Sequence, residues 1–248
     1  MVCGSLGRGC GGVYRAATRQ GRAFFSSLPE SLGQASDSAD VRDALRFERR
    51  GHICTRGLLT PAEMAAVTPA VRAAWDQAAA ERHCETMDGE AREFAPFLQN
   101  FNPHRRSALL LALASSRRLT SVARLLLFDG QDETRLRLYQ TAIFAKRAGH
   151  DETAWHTDLG TAPVDTNSMV TVWLPLERVP GREDGGTALI FARGSHRDMG
   201  GLWYSNLLLD DGHGGAGASG LSKQETARYG EPEDHGALEA GDATWHHG

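Results

Sequence analysis

After residue 40 the apolar positions follow two regimes. Met64, Val67, Val71 and Trp75 recur at helical spacing. They follow Thr60-Pro61-Ala62-Glu63, where Thr60 can cap, Pro61 suits the first helical position and Glu63 completes a capping box. This predicts a helix with that stripe turned to a core. Residues 107–128, rich in Leu and Ala, predict a second helical region with a break near Leu119-Thr120. Residues 47–58 read as a helix end, a glycine turn and a strand. Beyond Asp132 the period drops to two. Leu136, Leu138, Gln140, Ala142 and Phe144 share one face, and Val170, Val172, Leu174 and Leu176 alternate with Thr171, Trp173 and Pro175. Residues 187–192 predict a further short strand between two glycine turns. The Gly-rich residues 210–220 predict a surface loop or an active-site lid. Helices followed by short strands predict an α+β chain built on a small β-sandwich or barrel.

The first 29 residues break this pattern. They carry Arg8, Arg15, Arg19 and Arg22 and no acid before Glu30. Such a start predicts an organelle transit peptide, with the mitochondrion ahead of plastid or cytoplasm. Residues 29–39 are predicted as an unstructured Ser/Gly/Asp linker. The chain thus divides into a leader and linker over residues 1–40 and one folded domain over 41–248.

Composition narrows the function classes. In 248 residues, 41% are hydrophobic and 23% charged, enough for a real core, and this argues against wholesale disorder. The formal charge of −4 argues against a basic nucleic-acid binder. No apolar run approaches the ~20 residues of a membrane-spanning helix. Of the four cysteines, Cys3 and Cys10 lie in the leader, while Cys54 and Cys84 stand apart. Neither a disulfide scaffold nor a structural zinc site fits that spacing, and reduced thiols are expected.

The candidate chemistry lies in Trp155-His156-Thr157-Asp158. On an extended strand, residues two apart project from one face, so His156 and Asp158 can share a metal ion. A second His from a distant strand would complete the two-His-one-carboxylate set of non-haem Fe(II) oxygenases; zinc could accept the same ligands. His150 and Glu152 have the same spacing but stand in a polar turn, and rank below.

His156-x-Asp158 is followed in order by residues 170–176, Gly185-Gly186-Thr187-Ala188-Leu189, Gly194-Ser195-His196 and Gly241-Asp242. This order resembles the phytanoyl-CoA dioxygenase family of Fe(II)/2-oxoglutarate oxygenases, as do residues 47–67 and Lys146. The likeness runs from about Val41 to Gly248. It implies a double-stranded β-helix, the cupin-like jelly roll, with flanking N-terminal helices. It implies Fe(II) on His156 and Asp158, 2-oxoglutarate and O2 as cosubstrates, and Lys146 and Trp173 lining the 2-oxoglutarate pocket. It gives His196 a structural place in a turn. Related halogenases carry a small residue at the position of Asp158, so its carboxylate implies hydroxylation of a small organic substrate. The alternative is a truncated, catalytically inactive relative acting as a binding module.

The resemblance also implies a distal metal His, one strand after Gly241-Asp242, and beyond it an Arg for the far carboxylate of 2-oxoglutarate. Residues 245–248 read Trp-His-His-Gly. Two expectations stand. Either His246 and His247 end the Gly-Asp strand and the last strands with the His and Arg are missing from this chain, or one of these two histidines serves as third ligand.

Overall fold

A computed structural model of the protein describes residues 2–4, 29–80, 85–86, 98–128, 135–145, 153, 155–160, 162, 164, 166–198 and 227–248. The first helix, α1 (Val41–Arg50), starts where Asp40 accepts from the amides of Arg42 (2.8 Å) and Asp43 (3.1 Å), and Asp43 reciprocates to the amide of Asp40. It stops at Gly51, whose φ of 82° is left-handed, and the chain turns straight into β2 (His52–Thr55). The second helix, α2 (Pro61–Ala80), begins with the predicted box: Thr60 Oγ1 accepts from the Glu63 amide, and Glu63 accepts from the Thr60 amide. Met64, Val67 and Val71 are buried, as the stripe requires.

The second helical region is divided, four residues earlier than expected, into α3 (Ala108–Ala114) and α4 (Arg117–Phe128). Ser115 and Ser116 cause the break. The Ser115 hydroxyl donates back to the Leu111 carbonyl, and the Ser116 hydroxyl accepts from the Leu119 amide to start the next helix.

Residues 29–39, expected to be an unstructured linker, are ordered where they meet the helices. Residues 30–33 form a 3-10 turn against α4, with Leu32 2% exposed in the core. The Ser31 hydroxyl donates to Glu63, and the Ser36 amide donates to Ser121. One apolar side chain with polar anchors on both sides outweighs the flexibility that the composition suggests.

Eight strands are described: β1 (Val2–Gly4), β2, β3 (Glu85–Thr86), β4 (Leu98–Phe101), β5 (Leu136–Leu138), β6 (Ala142–Ala145), β7 (Met169–Trp173) and β8 (Ala243–His247). All ladder pairs are antiparallel. One sheet has the order β2-β8-β7-β1-β5 and the other β3-β4-β6. The predicted strand over 187–192 does not form. Among the described residues that segment makes a single bridge, Phe191 to Glu233. Alternating side chains make a strand only where a neighbouring ladder accepts its amides, and the pattern carries no information about the neighbour.

The larger sheet has two unlike faces, fixed by register. Ile53, Trp245 and Val172 lie opposite one another on β2, β8 and β7, and this row belongs to the core with the helices. Trp245, Ala243 and Val170 are fully buried there. The next row, His52–His246–Thr171, points the other way. That polar row is the floor of the candidate site.

Candidate metal centre

Asp158 sits over the His246–Thr171 row. The Thr171 hydroxyl donates to Asp158 Oδ2 at 2.5 Å, and His246 Nε2 lies 3.1 Å from the same oxygen. His156 Nε2 lies 3.6 Å from the other oxygen, Oδ1. The predicted pair therefore converges, although not on a strand. His156 and Thr157 belong to no regular element, and Asp158 opens a 3-10 turn (Asp158–Gly160). The turn, rather than the pleat, brings the two side chains together.

The carboxylate is 12% exposed and the His156 side chain 53%. Burial by itself would raise the Asp158 pKa. The hydrogen bonds from His156, His246 and Thr171, with the field of His246, reverse that and hold it well below the usual carboxylate range. The site thus keeps an ionised carboxylate beside an imidazole, two of the ligand types that iron takes in a facial triad. Among the described residues no three His, Cys, Asp or Glu side chains are disposed to hold an ion, so the fit is that of a two-ligand pair.

Trp173 lies on the Thr171 face of β7, two residues further on, and is half-buried. Lys146, the rival pair His150 and Glu152, and the Gly-rich stretch 210–220 all lie outside the described residues. His196 is placed in a 3-10 turn, with Nε2 at 3.0 Å from the Glu48 carbonyl at the end of α1. Thr171 was not singled out by sequence. Its place on the polar side of the β7 alternation was legible, but not its meeting with a residue in the preceding loop. The sequence reads His246 only as a strand end or a ligand, because its bond to Asp158 depends on strand order.

A histidine pile continues the floor beyond His246. His52 is 2% exposed, stacks on Phe191 with ring centres 4.4 Å apart, and places Nδ1 at 3.0 Å from His235 Nε2. Burial, then the neighbouring His235 and Arg50, lower its pKa to about 3. Burial, chiefly, also lowers His235 and His247 to about 4. On the far side of β8, Gly241 and Asp242 shape the approach to the strand. Asp242 accepts from the amides of Gly57 and Glu239 and from Arg56. Gly241 has φ of 100°, and a Cβ there would meet the Leu59 carbonyl oxygen at 2.3 Å. The Gly-Asp pair in the motif order is thus a structural clasp between the 55–59 turn and β8.

Residues 47–248 match the phytanoyl-CoA dioxygenase (PhyH) family. No curated protein sequence gives a match. Among solved structures, the α-ketoglutarate-dependent carbocyclase SnoK from nogalamycin biosynthesis has 17% identity and a TM-score of 0.59, covering 87% of this chain and 78% of its own. The epimerase SnoN, solved with Fe3+, α-ketoglutarate and nogalamycin RO, has 22% identity and a TM-score of 0.58, covering 83% and 73%. EctD from S. alaskensis, solved with bound Fe, has 19% identity and a TM-score of 0.58, covering 89% and 73%. Likeness at this identity shows a shared fold, the cupin-like jelly roll of such enzymes. With the match spanning four-fifths of its length and enclosing both His156 and Asp158, the chain belongs to the phytanoyl-CoA dioxygenase family, which uses Fe(II), 2-oxoglutarate and O2.

Proposed function

We propose that the protein is an Fe(II)- and 2-oxoglutarate-dependent dioxygenase that hydroxylates a small organic substrate, with His156 and Asp158 holding the metal. The observation that carries this reading is the convergence of His156 Nε2 and an ionised, largely buried Asp158 carboxylate, 3.6 Å apart, on the polar face of the sheet. Bound there, iron would supply the oxidative chemistry by which 2-oxoglutarate and O2 are converted to succinate, CO2 and an oxidised substrate.

The chain's own groups have separate tasks. Asp158 offers fixed negative charge, kept ionised by its donors despite its burial. His156, more exposed, offers a ring nitrogen from the solvent side. Trp173, on the Thr171 face of β7, would wall the space beside the pair and keep water from it, and with Lys146 it would line the 2-oxoglutarate pocket. The carboxylate at position 158 supports hydroxylation over halogenation. A mitochondrial destination is a separate proposal, supported by the Arg-rich, acid-poor leader alone.

The test is succinate release from isotopically labelled 2-oxoglutarate by the full chain. Release is expected only when Fe(II), 2-oxoglutarate and O2 are all present, and Asp158→Ala is expected to abolish it. Full turnover in that variant would end this reading. No iron in the purified wild type and no succinate even with all cosubstrates present would favour the non-catalytic binding module.

A further inference from the structure

Away from the metal pair, four arginines converge on one place. Arg49, Arg193, Arg197 and Arg228 line an open hollow of about 520 Å³ between the end of α1, the 193–198 turn and residues 228–230. That volume suits a small molecule. One carboxylate, Asp198, lines it with them. Arg197 is held by α1, where its Nη2 donates to the carbonyls of Glu48 (2.9 Å) and Arg49 (3.1 Å). Capping the negative end of the helix accounts for this one cation and engages one of its three guanidinium nitrogens. Arg228 Nη2 pairs with Asp198 at 2.5 Å, and its guanidinium carbon lies 5.5 Å from the centre of the Tyr229 ring. Arg49 donates to the Leu45 carbonyl of its own helix, and Arg193 reaches Glu233 at 3.8 Å, a carboxylate that Arg50 approaches at 3.3 Å. Among the described residues no carboxylate pairs with Arg49 or Arg197. Gly230, at φ of 81°, has nothing within 4 Å of where a Cβ would stand, so the wall beside Arg228 stays open. Like charges gathered on one wall repel, and an anion placed among them relieves that repulsion.

We propose that this hollow is a binding site for a phosphate group, free or carried as the ester of a small molecule. Arg197 and Arg228 are each already held by the protein, so their remaining guanidinium N–H groups are presented with little further loss of freedom. Arg49 and Arg193 add charge from the rim. One guanidinium fork satisfies a carboxylate. Four of them against Asp198 match instead the three terminal oxygens of a phosphate monoester and its charge of about −1.5 to −2. The site shares no residue with the metal centre and does not depend on that reading.

The experiment is isothermal titration calorimetry of the metal-free full chain at low ionic strength, with inorganic phosphate, phenyl phosphate and acetate as probes. Saturable binding of the phosphate probes is expected, with Kd of about 1 mM or tighter. It should weaken as salt is added, and acetate should bind about tenfold more weakly or worse. The double variant Arg49→Gln/Arg193→Gln removes two exposed guanidiniums and leaves the two that the protein holds. It is expected to weaken phosphate binding about tenfold or more, with its fold checked by circular dichroism. The double variant Arg72→Gln/Arg105→Gln, also at exposed positions but outside the hollow, is expected to bind as the wild type does. Tighter binding of phenyl phosphate than of inorganic phosphate would assign the site to an ester, and equal binding to the free anion. No saturable binding of either phosphate probe would overturn the proposal. So would wild-type affinity in a folded Arg49→Gln/Arg193→Gln variant, or an equal loss in Arg72→Gln/Arg105→Gln, which marks a response to overall charge alone.

Discussion

At the scale of single residues, one buried donor in the core depends on one acceptor. Trp245 is fully buried in β8, and its indole N–H donates to Thr55 Oγ1 at 2.9 Å. Thr55→Val keeps the shape and removes the acceptor. The expected loss is about 1–3 kcal/mol of stability, the cost of a buried unpaired donor, read from chemical denaturation. Which residues would be so paired was only partly legible. Thr60 and Glu63 could be read as a cap because capping is local. The Ser31 and Arg118 bonds to the same Glu63 span 32 and 55 positions, and no nearby pattern announces them. His156 and Asp158 were legible as a pair for the same local reason, whereas their relation to Thr171 and His246 waited on the register of β7 with β8.

At the scale of elements, turns decide where strands begin. Gly241 leads into β8 with φ of 100° and with the Leu59 carbonyl where a Cβ would stand, while Gly57, at φ of 59°, has nothing within 4 Å. Gly241→Ala is therefore expected to cost about 3 kcal/mol or more, because strain and backbone collision add. Gly57→Ala is expected to cost about 1 kcal/mol, because only the left-handed conformation is penalised. Thermal unfolding of the two variants side by side checks the difference. Element type was largely legible, since α1, α2, β2 and β7 follow from caps, glycines and period. Element limits were less so. Ser115 and Ser116 placed the helix break by hydroxyl competition that a Leu/Ala pattern conceals, and residues 187–192 alternated without a ladder to join.

For the whole molecule, the order β2-β8-β7-β1-β5 could not be read from the chain, because neighbours in space are far apart in sequence. The general architecture could, through the order of its motifs. The buried histidines give the assembled protein a distinct response to acid. His52, His235 and His247 are held near 3, 4 and 4 from an ordinary value of 6.5, so between those values the unfolded chain binds protons that the folded one refuses. Stability is full above pH 6.5 and declines as pH falls toward the folded values, by up to about 1.4 kcal/mol per pH unit for each imidazole. Asp158, Glu63 and Asp242 have lowered pKa values, so their contribution persists above the ordinary carboxylate range and is lost only in stronger acid. Urea midpoints between pH 7.5 and 4.5 are thus expected to fall, and His52→Phe to flatten the slope; a midpoint constant over that interval would refute the assignment.

Gly51 ends α1, and its carbonyl accepts the amide of His247, while the preceding Arg50 carbonyl accepts the amide of Gly194. The imidazole of His196 occupies the space that a Cβ on Gly51 would need. Three stretches of chain therefore close on one small joint, and the residue next to His247 is the one that grips Asp158. A disturbance on the outer rim, at the end of the first helix or in the 194–198 turn, has a short mechanical route to the carboxylate. The tolerance of that rim to change should be set by the centre it braces rather than by its own exposure.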